Sequence, residues 1–190
     1  MIPSPFSKLP DDAISKLEIS SGNVLFRVGE TPSGFYFLSS GEMHLLRYTE
    51  MGEVIPIHRA FSGECFAEAS LFSQAYHCDA LAKCDCELAR IDRHQTLKLM
   101  DADPLFARHV SAYLAQQVQD YRRILELRSI RSAEERVLAA IAEGWMKGNI
   151  MSFAGQIGLT HEAAYRALSA LVKTGQLVKP RRGQYQLSKP

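Results

Sequence analysis

Residues 152–171, SFAGQIGLTHEAAYRALSAL, constrain this chain more than any other stretch. Phe153, Ala154 and Ile157 share one helical face, Gly158 ends that helix in a turn, Leu159 plugs the corner, and Thr160 is a good N-cap for a second helix. That second helix buries Ala164, Leu168 and Leu171, which leaves His161, Glu162, Tyr165, Arg166 and Ser169 on its other side. A helix, a glycine turn and a second helix form the unit that lays its second helix against base edges in the major groove of DNA. In that setting glutamate accepts from a cytosine amine and arginine grips guanine. The spacing of Glu162 and Arg166 equally suits an ion pair on a solvated helix surface. Pattern alone leaves both open.

The next residues favour the groove. After Gly175 come Leu177-Val178, then Lys179-Pro180-Arg181-Arg182-Gly183, then Tyr185 and Leu187, the pattern of a short hairpin with a basic tip. Residues 149–190 hold six basic side chains against Glu162 alone, a net charge of +5, while the rest of the chain has 16 basic and 20 acidic residues, a net of −4. A nearly neutral protein has therefore concentrated positive charge on the segment that would face phosphates, Arg181 and Arg182 foremost.

The run Gly158-Leu159-Thr160-His161-Glu162-Ala163-Ala164-Tyr165-Arg166 resembles the recognition motif of the CRP/FNR regulators. The resemblance extends over nearly the whole chain. It implies that Glu162 and Arg166 read a DNA half-site and that His161 stands where the family often has a basic residue near bases or phosphates.

The first half has a different periodicity. Residues 7–18 hold a short helical pattern, with Pro10, Asp11 and Asp12 as start signals and Ala13, Ile14 and Leu17 as its apolar face. From residue 23 to about 93 the pattern turns to short β-rich runs: Val24 to Val28, Phe35 to Leu38, Met43 to Tyr48 and Val54 to Ile57. Turn signals at 29–34, 40–41 and 51–53 separate them. Their order resembles the double-stranded β-roll of cyclic-nucleotide-binding domains. Helical spacing resumes at 94–100, and Pro104 opens a long helix with Phe106, Val110, Leu114, Val118, Tyr121 and Leu125 in one stripe. By pattern the stripe suits internal core or a dimer seam; the family resemblance implies the seam of a homodimer. Residues 128–132 lack glycine and proline and read as a hinge, and Ala133 to Leu138 open the last domain.

The expected fold class is α+β: an N-terminal antiparallel double-stranded β-roll, jelly-roll-like, over 1–103; a long dimerisation helix and hinge over 104–130; and a C-terminal winged helix-turn-helix over 131–190. A symmetric dimer would set two recognition helices about 34 Å apart, matching half-sites on one DNA face.

Cyclic-nucleotide binders of the family carry a G-x-x-x-G-E cassette, a short helix, then Arg-Ser or Arg-Thr: backbone N–H groups approach the phosphate, glutamate holds the ribose, and arginine neutralises the anion. Here Gly63 and Glu68 are kept, Ala67 replaces the second glycine, Ala69 comes after Glu68, and His77-Cys78 align with the Arg-Ser pair. Val118 and Gln119 fall where the family contacts the base. Neutral histidine lacks a guanidinium fork, so the anion hook is weakened. No cofactor is assigned: cyclic nucleotide lacks its arginine; haem has His77 as a candidate axial ligand but no Cys-x-x-Cys-His; and the four cysteines of the roll could gather a metal or an iron–sulfur cluster, but the N-terminal cysteine group of the oxygen-sensing branch is absent. Cys65, Cys78, Cys84 and Cys86 suit a reducing compartment, with a redox role left open.

The N-terminal residues lack the pattern of a signal peptide, and no apolar run is long enough to cross a membrane, so the cytoplasm is the expected location. Gly-x-Ser-x-Gly, His-Glu-x-x-His and P-loop patterns are absent, which argues against an enzyme. The expected function is sequence-specific DNA binding by a homodimer on a palindromic site, with RNA polymerase as a further partner. The alternatives are a regulatory ligand-binding module acting through a protein partner and a true cyclic-nucleotide-responsive regulator.

Overall fold

The computed structural model describes residues 2–146, 149–181 and 183–188. It divides into two compact units, Met1–Leu114 and Ala115–Pro190.

The first unit is two four-stranded antiparallel sheets. Strands β1 (Ile14–Ile19), β8 (Cys86–Asp92), β3 (Gly34–Ser40) and β6 (Cys65–Phe66) form one, and β2 (Val24–Phe26), β7 (Asp79–Ala82), β4 (Glu42–Tyr48) and β5 (Val54–Phe61) form the other, each in that spatial order. The apolar run in β3 reflects burial on both faces. Tyr36 and Leu38 point between the sheets with Phe26, Met43, Leu45, Phe66 and Leu88, while Phe35 and Phe37 point outward to a second core. That second core holds Phe6, Ile91 and two residues of the long helix, Phe106 and Val110. After β8 come α1 (Arg93–Ala102), capped by the Asp92 side chain, and α2 (Pro104–Ser129).

Three expectations are corrected. Residues 7–18 do not form a helix: 3-10 turns at Phe6–Lys8 and Asp11–Ala13 lead into β1, whose full length pairs with β8, from Ile14 opposite Ile91 to Ile19 opposite Cys86. Ladder hydrogen bonds to β8 outweigh a local spacing compatible with helix. The α2 stripe, expected as one dimer seam, is divided. Phe106 and Val110 are wholly buried in their own unit and Leu114 partly so, whereas Val118, Tyr121 and Leu125 are 49%, 48% and 66% exposed. The expected strand through Val28 is also shorter, ending at Phe26.

The second unit holds the rest of α2, then α3 (Ala133–Ala142), α4 (Ile150–Gln156), α5 (His161–Lys173) and the hairpin of β9 (Leu177–Arg181) with β10 (Gln184–Leu187). Leu127, Val137, Phe153, Ile157, Leu168, Leu171, Leu177 and Tyr185 share one core. Arg123 on α2 pairs with Glu143 just past α3 and with Glu126 one turn along its own helix. Residues 130–132 link α2 to α3, and Ser132 caps α3 by accepting from the Glu135 amide. No helix among the described residues is long and apolar enough to cross a membrane.

Candidate functional site

The local chemistry of α4 and α5 is that of two helices held at a fixed turn. Asn149 caps α4 by accepting from the Ser152 amide at 2.9 Å, and Thr160 caps α5 by accepting from the Ala163 amide at 3.1 Å. Between them Gly158 takes φ +70°, and a Cβ there would also lie 3.0 Å from the Arg128 side chain. The Leu159 amide closes the corner on Ala154 O at 2.8 Å, and Leu159 packs against the core.

Sequence reasoning missed two arginines that brace this turn. Arg136 donates to the carbonyls of Ile157 and Gly158, both at 3.2 Å, and to Ile130 O; Arg128 donates to Gly155 O at 3.3 Å. Carbonyls at a helix end lack intrahelical donors, and guanidinium groups supply them. Because Arg128 and Arg136 belong to α2 and α3, two earlier helices brace the turn between α4 and α5. Arg136 is partly buried, whereas the other charged residues of α3, Glu134 and Glu135, are exposed.

On α5, Ala164, Ala167, Leu168 and Leu171 face the core, and His161, Glu162, Tyr165, Arg166 and Ser169 are all exposed, as expected. Ala167 is the core residue the pattern had not picked out. No ion pair among the described residues engages Glu162 or Arg166, so the helix-surface pair left open by their spacing is not formed. His161, Glu162, Tyr165 and Arg166 together line a shallow recess.

The β9–β10 hairpin comes directly after α5. Tyr185 is buried and anchors β10, and Lys179 Nζ lies 5.5 Å from the centre of its ring. Arg181 is exposed at the end of β9; Arg182 lies outside the described residues.

The cassette in the β-roll is built differently from the expectation. Gly63 has φ +94° and Ala67 has φ +63°, so alanine occupies a left-handed position where glycine is at ease. Glu68 is only 6% exposed, and its carboxylate accepts from the Tyr113 hydroxyl of α2 at 3.1 Å. Burial, with the Glu68 charge beside it, pushes the Cys65 thiol up to about 12. The Tyr113 hydroxyl is raised by the same burial and by Cys65 and Glu68. Ala69 is exposed, while Ser70 donates to Gly34 O at 3.0 Å.

His77 faces solvent, and the residue that turns inward is Tyr76. Its ring stacks on Phe26 at 3.8 Å, Phe26 stacks on Tyr36 at 5.6 Å, and Tyr36 stacks on Phe66 at 5.4 Å. The Tyr76 hydroxyl donates to Gly34 O at 2.6 Å. Cys78 is part of the same core, its thiol pushed up to about 11 by burial and by Asp79. Val118 and Gln119 are exposed residues of the second unit. All four cysteines are free thiols, Cys84 alone exposed, and no three His, Cys, Asp or Glu side chains among the described residues are grouped as a metal site requires.

A family model described as the cyclic nucleotide-binding domain matches residues 16–103. The cyclic AMP receptor protein of Thermus thermophilus is 28% identical over 162 residues, which cover 81% of this chain and 75% of that protein. The cAMP-activated global transcriptional regulator CRP of Pasteurella multocida is 30% identical over 105 residues, 54% of this chain and 50% of the regulator's length. The solved structure of FixK2 from Bradyrhizobium japonicum superposes with a TM-score of 0.66 at 19% identity, covering 93% of each chain, a likeness of fold. With the sheet order of the roll, the long helix and the two capped helices after it, these comparisons give the chain a cyclic nucleotide-binding domain over residues 16–103 and make it similar in sequence and fold to CRP-type transcriptional regulators.

Proposed function

We propose that this chain is a homodimeric, sequence-specific DNA-binding regulator that acts in the cytoplasm on a palindromic site and works without a bound cyclic nucleotide. The observation that carries the reading is the outward face of α5. Five side chains suited to base and backbone contacts stand exposed on a helix whose start is fixed by a cap and a braced turn. Glu162 and Arg166 have the chemistry to read a G·C pair, with His161 and Ser169 beside them. Arg181, with Arg182 next to it in sequence, supplies charge for phosphate. Val118, Tyr121 and Leu125 form the apolar stripe that would pair two copies.

The cassette supports the effector-free part. A cyclic nucleotide needs a carboxylate for the ribose and a cation for the phosphate, yet Glu68 is held by Tyr113 and no arginine or lysine occurs between Ala67 and Ala82. The inward place at this step belongs to the Tyr76 ring. These residues do not fit the ligand.

Selection of duplexes from a random library by the full-length protein tests the first part. An enriched two-fold symmetric sequence is expected, and no enrichment would refute it. Calorimetry with cyclic AMP and cyclic GMP tests the second part, and saturable heat with either would overturn it. One observation supports contact with a protein partner, RNA polymerase in this reading. Edge strand β5 exposes Val54, Ile55 and Ile57, with Met51 in the turn before it.

A further inference from the structure

The outward face of α5 is divided lengthwise. Residues advance by about 100° each around a helix. His161 and Tyr165 therefore stand one above the other on one flank and Glu162 and Arg166 on the other, with Ser169 between them further along. The His161 and Tyr165 rings lie 6.4 Å apart between centroids, inclined at 31°. Tyr165 keeps 49% of its surface exposed. One flank is charged and the other aromatic.

The charged flank suits the acceptors of guanine and the amine of cytosine. The aromatic flank can hydrogen-bond only through the His161 ring nitrogens and the Tyr165 hydroxyl, and the rest of its surface is apolar. The apolar group that the major groove does display is the 5-methyl of thymine. We infer that Tyr165 reads the 5-methyl group of a thymine in each half-site, next to the base pairs read by Glu162 and Arg166. The inference rests on the proposed DNA-binding function and adds a base that the charged pair does not specify. An aromatic side chain is economical in this role: it has only two side-chain torsions to fix, and the His161 ring stands beside it. Burying one methyl-sized group against it corresponds to roughly four-fold in affinity per half-site.

The test uses the full chain and its selected duplex, with each thymine replaced by deoxyuridine in turn, symmetrically in both half-sites. Uracil pairs as thymine does and lacks only the methyl. The wild-type protein is expected to lose roughly four-fold per half-site at one thymine position and less than two-fold elsewhere. Y165A should bind the thymine duplex more weakly and treat both duplexes alike there, while Y165F should still discriminate, because the hydroxyl is not the reader. Indifference of the wild type to every replacement overturns the inference, as does discrimination that survives in Y165A or disappears in Y165F. Tyr165 is a surface residue, so these variants keep the core of the fold. A selected site without methyl sensitivity defeats this inference alone, whereas failure to select any site defeats the proposed function and this inference with it.

Discussion

Phe106 and Leu125 lie on one helix in one apolar stripe, and the structure gives them opposite surroundings. Phe106 is 1% exposed in the first unit, packed among Phe6, Phe35 and Ile91, so Phe106→Ala should cost about 3–5 kcal/mol of folding stability. Leu125 is 66% exposed, so Leu125→Ala removes little from an isolated chain, within about 0.5 kcal/mol. In a dimer the balance reverses. Full burial of a leucine side chain contributes about 1.5–3 kcal/mol, and two-thirds of that is about 1–2 kcal/mol per protomer. Two protomers give about 2–4 kcal/mol, or a dimer dissociation constant weakened roughly 30- to 1,000-fold. Sedimentation equilibrium gives the dissociation constant, and chemical denaturation of each variant gives folding stability. The reasoning is refuted if Leu125→Ala leaves association unchanged, or if Phe106→Ala weakens association while leaving the first unit as stable as before.

Other outcomes concern the two units separately. Arg166→Ala, which breaks no ion pair among the described residues, should lose about 1–3 kcal/mol of discrimination at one base pair of each half-site, read by competition with all four base pairs at each position. Arg181→Ala should weaken binding to every sequence and flatten the plot of log K against log salt by about 1.8 for a dimer, one phosphate contact from each subunit; an unchanged slope would place that side chain off the DNA. Thr160→Ala removes the cap of α5 and should lower the stability of the second unit by about 1 kcal/mol in chemical denaturation. The thiols of Cys65 and Cys78 are raised from 9.0 to about 12 and about 11, so the folded state holds their protons more tightly than the unfolded chain does. Their contribution is therefore complete below pH 9 and lost as pH rises through 11 to 12. Denaturant midpoints measured across that window should fall, and less steeply when both residues are alanine.

The parts legible in the sequence were those whose signals are local. Thr160, Gly158 and the spacing of Ala164, Leu168 and Leu171 specify a capped helix after a turn with no help from distant residues, and the structure has that arrangement. Strand β1 was illegible because Ala13, Ile14 and Leu17 satisfy a helical spacing, and only pairing with β8, more than 60 residues away, makes the segment extended. The same limit applied to α2, where one continuous stripe meets a core at Phe106 and Val110 and solvent at Val118 and Leu125. At the cassette His77 lies outside: in the bend before β7, Tyr76 and Cys78 are buried and His77 alternates outward between them. That alternation was present in the sequence. The Tyr113 contact with Glu68, between residues 45 apart, was not.

The most direct test of the account is the stoichiometry and salt dependence of duplex binding by the full-length protein, measured by anisotropy of a labelled selected site from low to physiological salt. Two chains per duplex, with log K falling linearly as log salt rises, is the predicted result. One chain per duplex, or no binding even in dilute buffer, would contradict it.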